Sequence, residues 1–256
     1  MPDRERFSGK AILVTGAASG IGRAVALRFA SEGAQVLGFD LNAEGLKETA
    51  DLATSTGGSS GEVRVRQGDV SQREECRAAV EACIAEYGGI DVLANVAGII
   101  RPARFDEMTE SDYRLTMGVN ADGPFFMAQA AIPHLLERGG NIVNVASTAA
   151  IEGQAYTVAY CMSKAAVALM TKAIAMEYVK TPLRVNAVLP GGTQTSLVDG
   201  ISFPDDIDFQ LVLNYSGFRG MNSPDEVAAV VAFAASDDAS AVHGALLPVD
   251  RGALAD

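Results

Sequence analysis

The chain is predicted to fold as an α/β protein, a doubly wound parallel sheet of about seven strands with helices on both faces. Three observations predict it. Short apolar runs recur from end to end, segments with helical periodicity stand between them, and the junctions are rich in glycine, asparagine and aspartate. Strands alternating with helices imply βαβ units and a parallel sheet. Right-handed crossovers then wind the units outward from the middle of the sheet.

Ala11-Ile-Leu-Val-Thr15 is a short apolar run ending in a glycine-rich turn, which predicts a fully buried strand. Gly20 to Glu32 has helical periodicity, with Gly33 as its stop signal. Gln35 to Phe39 is a second strand ending at Asp40, Ala43 to about Thr54 a polar-faced helix, and Thr54 to Gly61 a surface loop rich in Ser, Thr and Gly. Val63 to Gln67 is a third strand, Gln72 to Tyr87 a helix stopped by Gly88-Gly89, and Asp91 to Asn95 a fourth strand. Two helical segments follow, separated near Gly118 to Gly123. Asn141 to Ala146 is a strand, Ala155 to Val179 a long alanine-rich helix, and Leu183 to Leu189 a strand. Asp225 to Ala235 is a helix and Leu246 to Val249 a last short strand. Thr195 to Ser223 interrupts the alternation with mixed apolar and acidic residues, the pattern of a functional lid or a disordered insertion.

No linker or composition break divides the 256 residues, so 1–256 read as one domain. With 48% hydrophobic residues the chain has ample surface to bury, which excludes a disordered protein. A net charge of −12 disfavours nucleic acid, whose phosphates need a basic groove, and an acidic lipid surface for the same reason. Cys76, Cys83 and Cys161 are odd in number and scattered. The first two share a predicted helix at a spacing of about 10 Å, too far for a disulfide, so free thiols in a reducing cytoplasm are expected. His134 and His243 have no clustered ligands, so no metal site is expected. The charged N-terminus makes a poor signal peptide. The longest apolar stretch, Val227 to Ala235, falls short of a membrane span.

Thr15-Gly16-Ala17-Ala18-Ser19-Gly20-Ile21-Gly22 stands between the first strand and the first helix. Glycines there permit a tight turn and the close approach of a pyrophosphate, which the free N–H groups of the helix N-terminus favour. Asp40, at the end of the second strand, suits the hydroxyls of an adenosine ribose and would repel a 2′-phosphate. Ser19 in the turn and Leu41-Asn42 after Asp40 supply no cation for that phosphate. NAD is therefore expected over NADP. The competing structural role for Asp40 is the N-cap of the next helix.

These motifs, with Asp69-Val70, Asn95-Val96-Ala97-Gly98, Asn120, Ser147, Tyr160-Cys-Met-Ser-Lys164 and Pro190-Gly191-Gly192-Thr193-Gln194-Thr195 in that order, cover essentially the whole chain. In this the sequence resembles the classical short-chain dehydrogenase/reductase family, whose fold is a Rossmann-type domain. The resemblance implies that Gly16, Ser19, Gly20, Ile21 and Gly22 hold the pyrophosphate side of the cofactor and that Asp40 and Leu41 meet the adenosine. It implies that Asp69 caps the adenine amino group beside Val70, and that Asn95, Ala97 and Gly98 pass under the ribose. Pro190, Gly191, Thr193 and Thr195 would fix the nicotinamide carboxamide and the pyrophosphate. Two positions depart from the family pattern: Val96 replaces a second asparagine, and Arg251 follows Asp250 where glycine is common, a change expected to affect the C-terminal subunit contact. A homotetramer, or a homodimer, is implied.

Tyr160 and Lys164 are one helical turn apart and share a face. A free phenol is a poor base at neutral pH, and a neighbouring ammonium together with a positive nicotinamide ring is expected to lower its pKa. By the family resemblance, Lys164 would also hold the nicotinamide ribose. Ser147 ends a strand where ligands gather in parallel sheets and would hydrogen-bond the reacting oxygen. The same resemblance implies that Asn120 would hold, through its backbone, a water leading from Lys164 to solvent. The expected activity is an NAD-dependent interconversion of a secondary alcohol and a ketone. The alternatives are a 3-oxoacyl-(acyl-carrier-protein) reductase, disfavoured by the acidic charge, and a non-catalytic NAD-binding regulator. Ile100, Glu152, Gln154 and Tyr156 are candidate substrate neighbours, with core packing an equal reading for Tyr156. Leu197, Ile201, Phe203, Leu211, Leu213, Tyr215 and Phe218 suggest an apolar substrate body or a lid packed on its own domain. Asp205, Asp206 and Asp208 read as a solvated face.

Overall fold

A computed structural model describes residues 5–55, 61–195, 203–213 and 219–255. Seven strands form one sheet in the order β3-β2-β1-β4-β5-β6-β7. They are β1 (Ala11–Thr15), β2 (Gln35–Asp40), β3 (Glu62–Gln67), β4 (Val92–Asn95), β5 (Asn141–Val145), β6 (Arg184–Pro190) and β7 (Leu246–Val249). Every neighbouring pair is parallel. From β1 the chain first moves outward to β2 and β3, then returns to β4 on the other side. The connections after β1 and β4 therefore diverge and leave a crevice at the carboxyl ends of these strands.

Alternation along the strands divides the core. Ile12 and Val14 face one layer and Leu13 the other, because successive side chains point to opposite faces of a sheet. The first layer holds α1 (Gly20–Ser31), α2 (Ala43–Ser55) and the helix Pro224–Ala235, numbered α8 below. Phe29 of α1 is fully buried there, edge-on to Phe7 at 4.9 Å. The second layer holds α3 (Arg73–Tyr87), which buries both Cys76 and Cys83, and α5 (Gly123–Arg138), which buries Met127 and Leu135.

Three elements differ from expectation. The two segments around residues 118–123 are one continuous path: α4 (Glu110–Met117) passes through a π-helical turn, Gly118–Asp122, into α5. Pro124 has no N–H for the carbonyl four residues back, so the regular pattern breaks at Asn120 while the axis runs on. A side chain at Gly123 would meet Val70 at 3.1 Å, so the widened turn can lie close to the sheet. Secondly, α6 spans Val158–Glu177 rather than beginning at Ala155, because Tyr156 has φ +62°, outside the helical region. Thirdly, α6 is long and apolar enough to cross a membrane by length and composition, a feature the run at Val227 to Ala235 lacks. Its buried face nonetheless carries Ser163, Lys164 and Thr171 against the sheet, the pattern of a core helix. A short helix α7 (Phe209–Leu213) lies between β6 and α8.

Phe29→Ala is expected to destabilise the fold by about 3–5 kcal/mol, read from the urea midpoint, because it empties a fully buried site between α1 and Phe7.

Candidate active site

The glycine turn is built by close approaches. Gly16 has φ +73°, and a side chain there would strike the backbone of Ala97 at 2.8 Å. A Cβ on Gly22 would sit 2.0 Å from the Gly16 carbonyl oxygen. Across the crevice, the Thr15 hydroxyl oxygen accepts N–H bonds from Val96 (3.0 Å) and Ala97 (3.1 Å), which pins the β4 loop against the turn. Ser19 is the N-cap residue of α1, yet its side chain caps nothing, so the hydroxyl and the first N–H groups of the helix remain available to a ligand.

Asp40 closes this lobe, a cavity of about 280 Å³. One carboxylate oxygen accepts from the Ala18 N–H (3.1 Å) and the other from the Asn42 N–H (2.9 Å). The N-cap reading of Asp40 gives way to Asn42, whose side chain accepts from the Gly45 N–H at 3.1 Å. Arg23 is the cation beside the turn. Its guanidinium is engaged by the Ala18 and Gly45 carbonyls, the Thr49 hydroxyl and Glu48. Asp69 and Val70 line the far end, and the Asp69 carboxylate accepts from the Ser71 N–H at 2.8 Å.

A second lobe of about 270 Å³ joins the first at Ile21, Val96, Gly98 and Thr195. Every residue predicted to bind cofactor or to act in catalysis, from Gly16 to Thr195, borders one lobe or the other except Asn95 and Asn120. Asn95 is buried, and its amide donates to the Asn144 side chain at 2.9 Å, which in turn donates to Thr171. A strand-end side chain cannot face both the interior and the cleft, and the departure Val96 takes the cleft position. Asn120 is fully buried behind the wall. Its side-chain oxygen accepts from the Ile99 N–H, and its amide donates to the Ile99 carbonyl and the Ser163 hydroxyl, clamping the β4 loop to α6.

Ser147, Tyr160 and Lys164 converge in the second lobe. The Ser147 hydroxyl accepts from the Ala149 N–H (3.2 Å), donates to the Pro190 carbonyl (3.5 Å) and favours the charged form of the Tyr160 phenol, which lines the same lobe. Lys164 Nζ donates to the Val145 carbonyl at 2.9 Å and lies 5.7 Å from the centre of the Tyr160 ring. Burial dominates both groups. It raises the Tyr160 phenol above its ordinary value, partly offset by Ser147, and lowers Lys164 to about 8. Without the nicotinamide ring that the expected lowering of Tyr160 also invokes, loss of solvent penalises both charged forms and the ammonium is engaged by a carbonyl.

The substrate side of this lobe is lined by Ile100, Gln154, Phe203, Val212 and Met221. Ile100, Gln154 and Phe203 were expected; Val212 and Met221 carry no sequence signal. Glu152 stays outside and accepts from the Gln154 amide at 3.0 Å. Tyr156 is also not a lining residue. Leu211 is exposed, whereas Leu197, Ile201, Tyr215, Phe218 and the Leu213 side chain lie outside the described residues. Asp205, Asp206 and Asp208 are all exposed, the solvated face expected, with Asp206 paired to the part-exposed Arg104 at 2.8 Å. Arg251 has φ +52°, a conformation glycine adopts freely, and bonds both carboxylate oxygens of Glu226 at 2.7 Å.

Comparison with known proteins places these features. A family model described as enoyl-(acyl carrier protein) reductase matches residues 16–253. The chain is 38% identical over 248 residues to the 3-oxoacyl-(acyl-carrier-protein) reductase of Thermotoga maritima, covering 96% of this chain and 98% of that one. It is 40% identical over 252 residues to the D-threitol dehydrogenase of Mycolicibacterium smegmatis, covering 96% and 94%. A short chain dehydrogenase from Burkholderia cenocepacia J2315 in complex with NADP superimposes with a TM-score of 0.86 at 32% identity, covering 97% of this chain and 99% of that one. One from Mycobacterium paratuberculosis bound to NAD gives 0.89 at 28%, covering 98% and 100%.

Lys164 predicts a pH signature in the ligand-free protein. Between about pH 8 and 10.5 the unfolded chain holds a proton that native Lys164 has lost, so this residue makes stability rise with pH. Tyr160 acts oppositely as pH passes its ordinary value of 10, and the buried Cys76 and Cys83, both raised to about 12, oppose it from 9 upward. The stability difference between wild type and Lys164→Met isolates the lysine. It is expected to shift in favour of wild type by on the order of 3 kcal/mol across that window in urea titrations.

Proposed function

The chain belongs to the classical short-chain dehydrogenase/reductase family and is an oxidoreductase of the CH–OH/carbonyl couple, and we propose that it works with NAD, with Tyr160 as acid/base, Ser147 as partner of the reacting oxygen and Lys164 as proton store. The observation that carries this is the convergence of Ser147, Tyr160 and Lys164 on one lobe that joins the glycine-turn lobe at Ile21, Val96, Gly98 and Thr195. The glycine approaches at Gly16 and Gly22, the idle Ser19 hydroxyl and the Asp40 carboxylate suit a dinucleotide in the first lobe. Bound NAD supplies the hydride acceptor and the positive charge of its oxidised ring.

The protein's own residues handle the proton. Burial keeps Tyr160 as a phenol, a donor ready for a carbonyl oxygen in the direction of reduction. Ser147 gives that oxygen a second hydrogen bond as negative charge develops on it. In oxidation the phenolate takes the alcohol proton, and positive charge brought into the lobe offsets the burial that opposes it. Lys164, at about 8, is largely protonated at neutral pH and exchanges its proton readily there. Asn120 keeps Lys164 and the β4 loop in register: a Cβ on Gly98 would lie 3.2 Å from Lys164 Nζ and 3.4 Å from the Asn120 side-chain oxygen.

Asp40 supports NAD over NADP, because both its oxygens are oriented by backbone N–H groups and Arg23 is held by Glu48 and Thr49. We propose that residues 1–256 act as one catalytic domain in a cytoplasmic homotetramer. Exposed Phe125, Met162, Leu169 and Met176 on α5 and α6 support a subunit contact.

A panel of alcohols and ketones, including D-threitol and an acyl-carrier thioester, tests the activity. Tyr160→Phe is expected to lose about 10²–10⁴ in turnover while binding NADH as wild type does. Equal activity of the mutant, or no turnover by wild type, refutes the assignment, and turnover confined to the thioester makes the chain a carrier-protein reductase. Asp40→Ser combined with Leu41→Arg is expected to raise NADPH affinity relative to NADH by about 10–100-fold, the worth of one charge-assisted bond to phosphate, read by fluorescence titration.

A further inference from the structure

Tyr156 stands apart from the residues assigned above. Among the described residues it and Arg251 are the non-glycine positions with left-handed backbone, a conformation that a bulky side chain adopts against a steric cost and that persists where surrounding contacts demand it. Three segments meet at this residue. Its carbonyl accepts the Ala103 N–H at 2.9 Å, from the β4–α4 connection. Its phenol oxygen accepts the Asp208 N–H at 3.0 Å, from the strip 203–213. Its own chain enters α6 at Val158, so that Tyr160 follows one turn later. Each segment also contributes to the substrate lobe, through Ile100, Phe203 and Gln154. Tyr156 itself does not line that lobe.

We infer that Tyr156 is a positioning residue that latches residues 203–208 to the start of α6 and so sets the apolar wall of the substrate lobe. The latch has two parts. The left-handed turn aims the ring away from the lobe and toward Asp208, which a helical Tyr156 would not do. The phenol oxygen then supplies an acceptor to an N–H that has no regular secondary structure to enter. The Arg104–Asp206 ion pair runs parallel to it, but both its side chains are open to solvent and such pairs hold weakly. The strip is otherwise lightly held: Ile207 is buried, whereas Asp208 and Phe209 are exposed and Phe203 meets Phe209 edge-on at 6.3 Å. The role in substrate binding rests on the enzymatic reading above; the latch itself does not.

Tyr156→Phe removes the acceptor and keeps the ring. The Asp208 N–H is at an exposed residue and turns to water, so the fold is unaffected. Tyr156→Asn removes the phenol and keeps a residue that tolerates the left-handed turn. Amide hydrogen exchange of peptides covering 203–213 is expected to quicken by about ten-fold or more in both variants, with peptides of α6 and the glycine turn unchanged. Wild-type exchange rates in the two variants overturn the latch whatever the enzyme does. With NADH and acetoin as the ketone probe, KM is expected to rise by about five-fold or more while kcat stays within about three-fold and NADH affinity is unchanged. A fall in kcat at constant KM overturns the positioning of substrate, because it puts the effect on Tyr160. If wild type reduces no ketone, the enzymatic reading fails and the exchange rates still decide the latch.

Discussion

The Thr15 hydroxyl, accepting the N–H groups of Val96 and Ala97, is the interaction on which the site depends. β1 and β4 are neighbours in the sheet, yet their connections leave in opposite directions, and nothing in a parallel ladder holds the two loops at a set distance. One buried oxygen does so from the centre of the crevice. The turn then lies so close to Ala97 that a Cβ on Gly16 would come within 2.8 Å of the Ala97 backbone, so the first lobe has a floor of backbone rather than side chains. Val96 and Gly98 continue that floor into the second lobe, which is why the two cavities join at those residues. Loss of this oxygen would leave two buried N–H groups without a partner and release the wall between the lobes.

Behind that wall, polar side chains do what the backbone cannot. Asn120 satisfies the Ile99 N–H and carbonyl together and reaches Ser163, whose hydroxyl donates to the Tyr160 carbonyl at 2.7 Å. Asn95, Asn144 and Thr171 form a parallel chain from β4 through β5 to α6. Both networks end on the helix that carries Tyr160 and Lys164. A buried polar network is costly when incomplete and orders its surroundings when satisfied. Here both networks tie α6 to the sheet and to the β4 loop, complete except at the Asn95 side-chain oxygen, which has no hydrogen-bond partner among the described residues.

Much of this was legible in the residues. The strands were readable because each is a short apolar run closed by a turn signal, and the glycine turn because the steric needs of its positions exclude side chains. Tyr160, Lys164 and Ser147 were readable as types in order. Other parts were not. Asn95 carries the same letter whether it faces a ligand or Asn144, and alternation at a strand end decides which. Tyr156 lies in what reads as continuous helix, since a left-handed residue leaves no mark when it is not glycine or asparagine. Val212 and Met221 reach the second lobe through tertiary placement of an irregular segment, for which periodicity offers no guide. The electrostatics of the protein alone were not legible for a related reason: spacing puts Lys164 beside Tyr160, but how far an ammonium stabilises a phenolate depends on how much water both have lost and on what else the ammonium bonds.

That last point reaches into how the site is assembled. In the protein alone Tyr160 is held neutral and Lys164 is drawn down to about 8, with its proton directed at the Val145 carbonyl. Each group therefore resists its charged form, and the resistance has one cause, a lobe walled by Ile100, Val145, Phe203 and Met221. The same walls that make the phenolate costly make any compensating positive charge effective once it enters, since attraction in a poorly solvated site exceeds that in water. A residue placed to lower Tyr160 permanently would leave a charged base in an empty pocket. Burial instead holds the Tyr160 phenol neutral in the protein alone, and the Val145 carbonyl gives the Lys164 ammonium a partner.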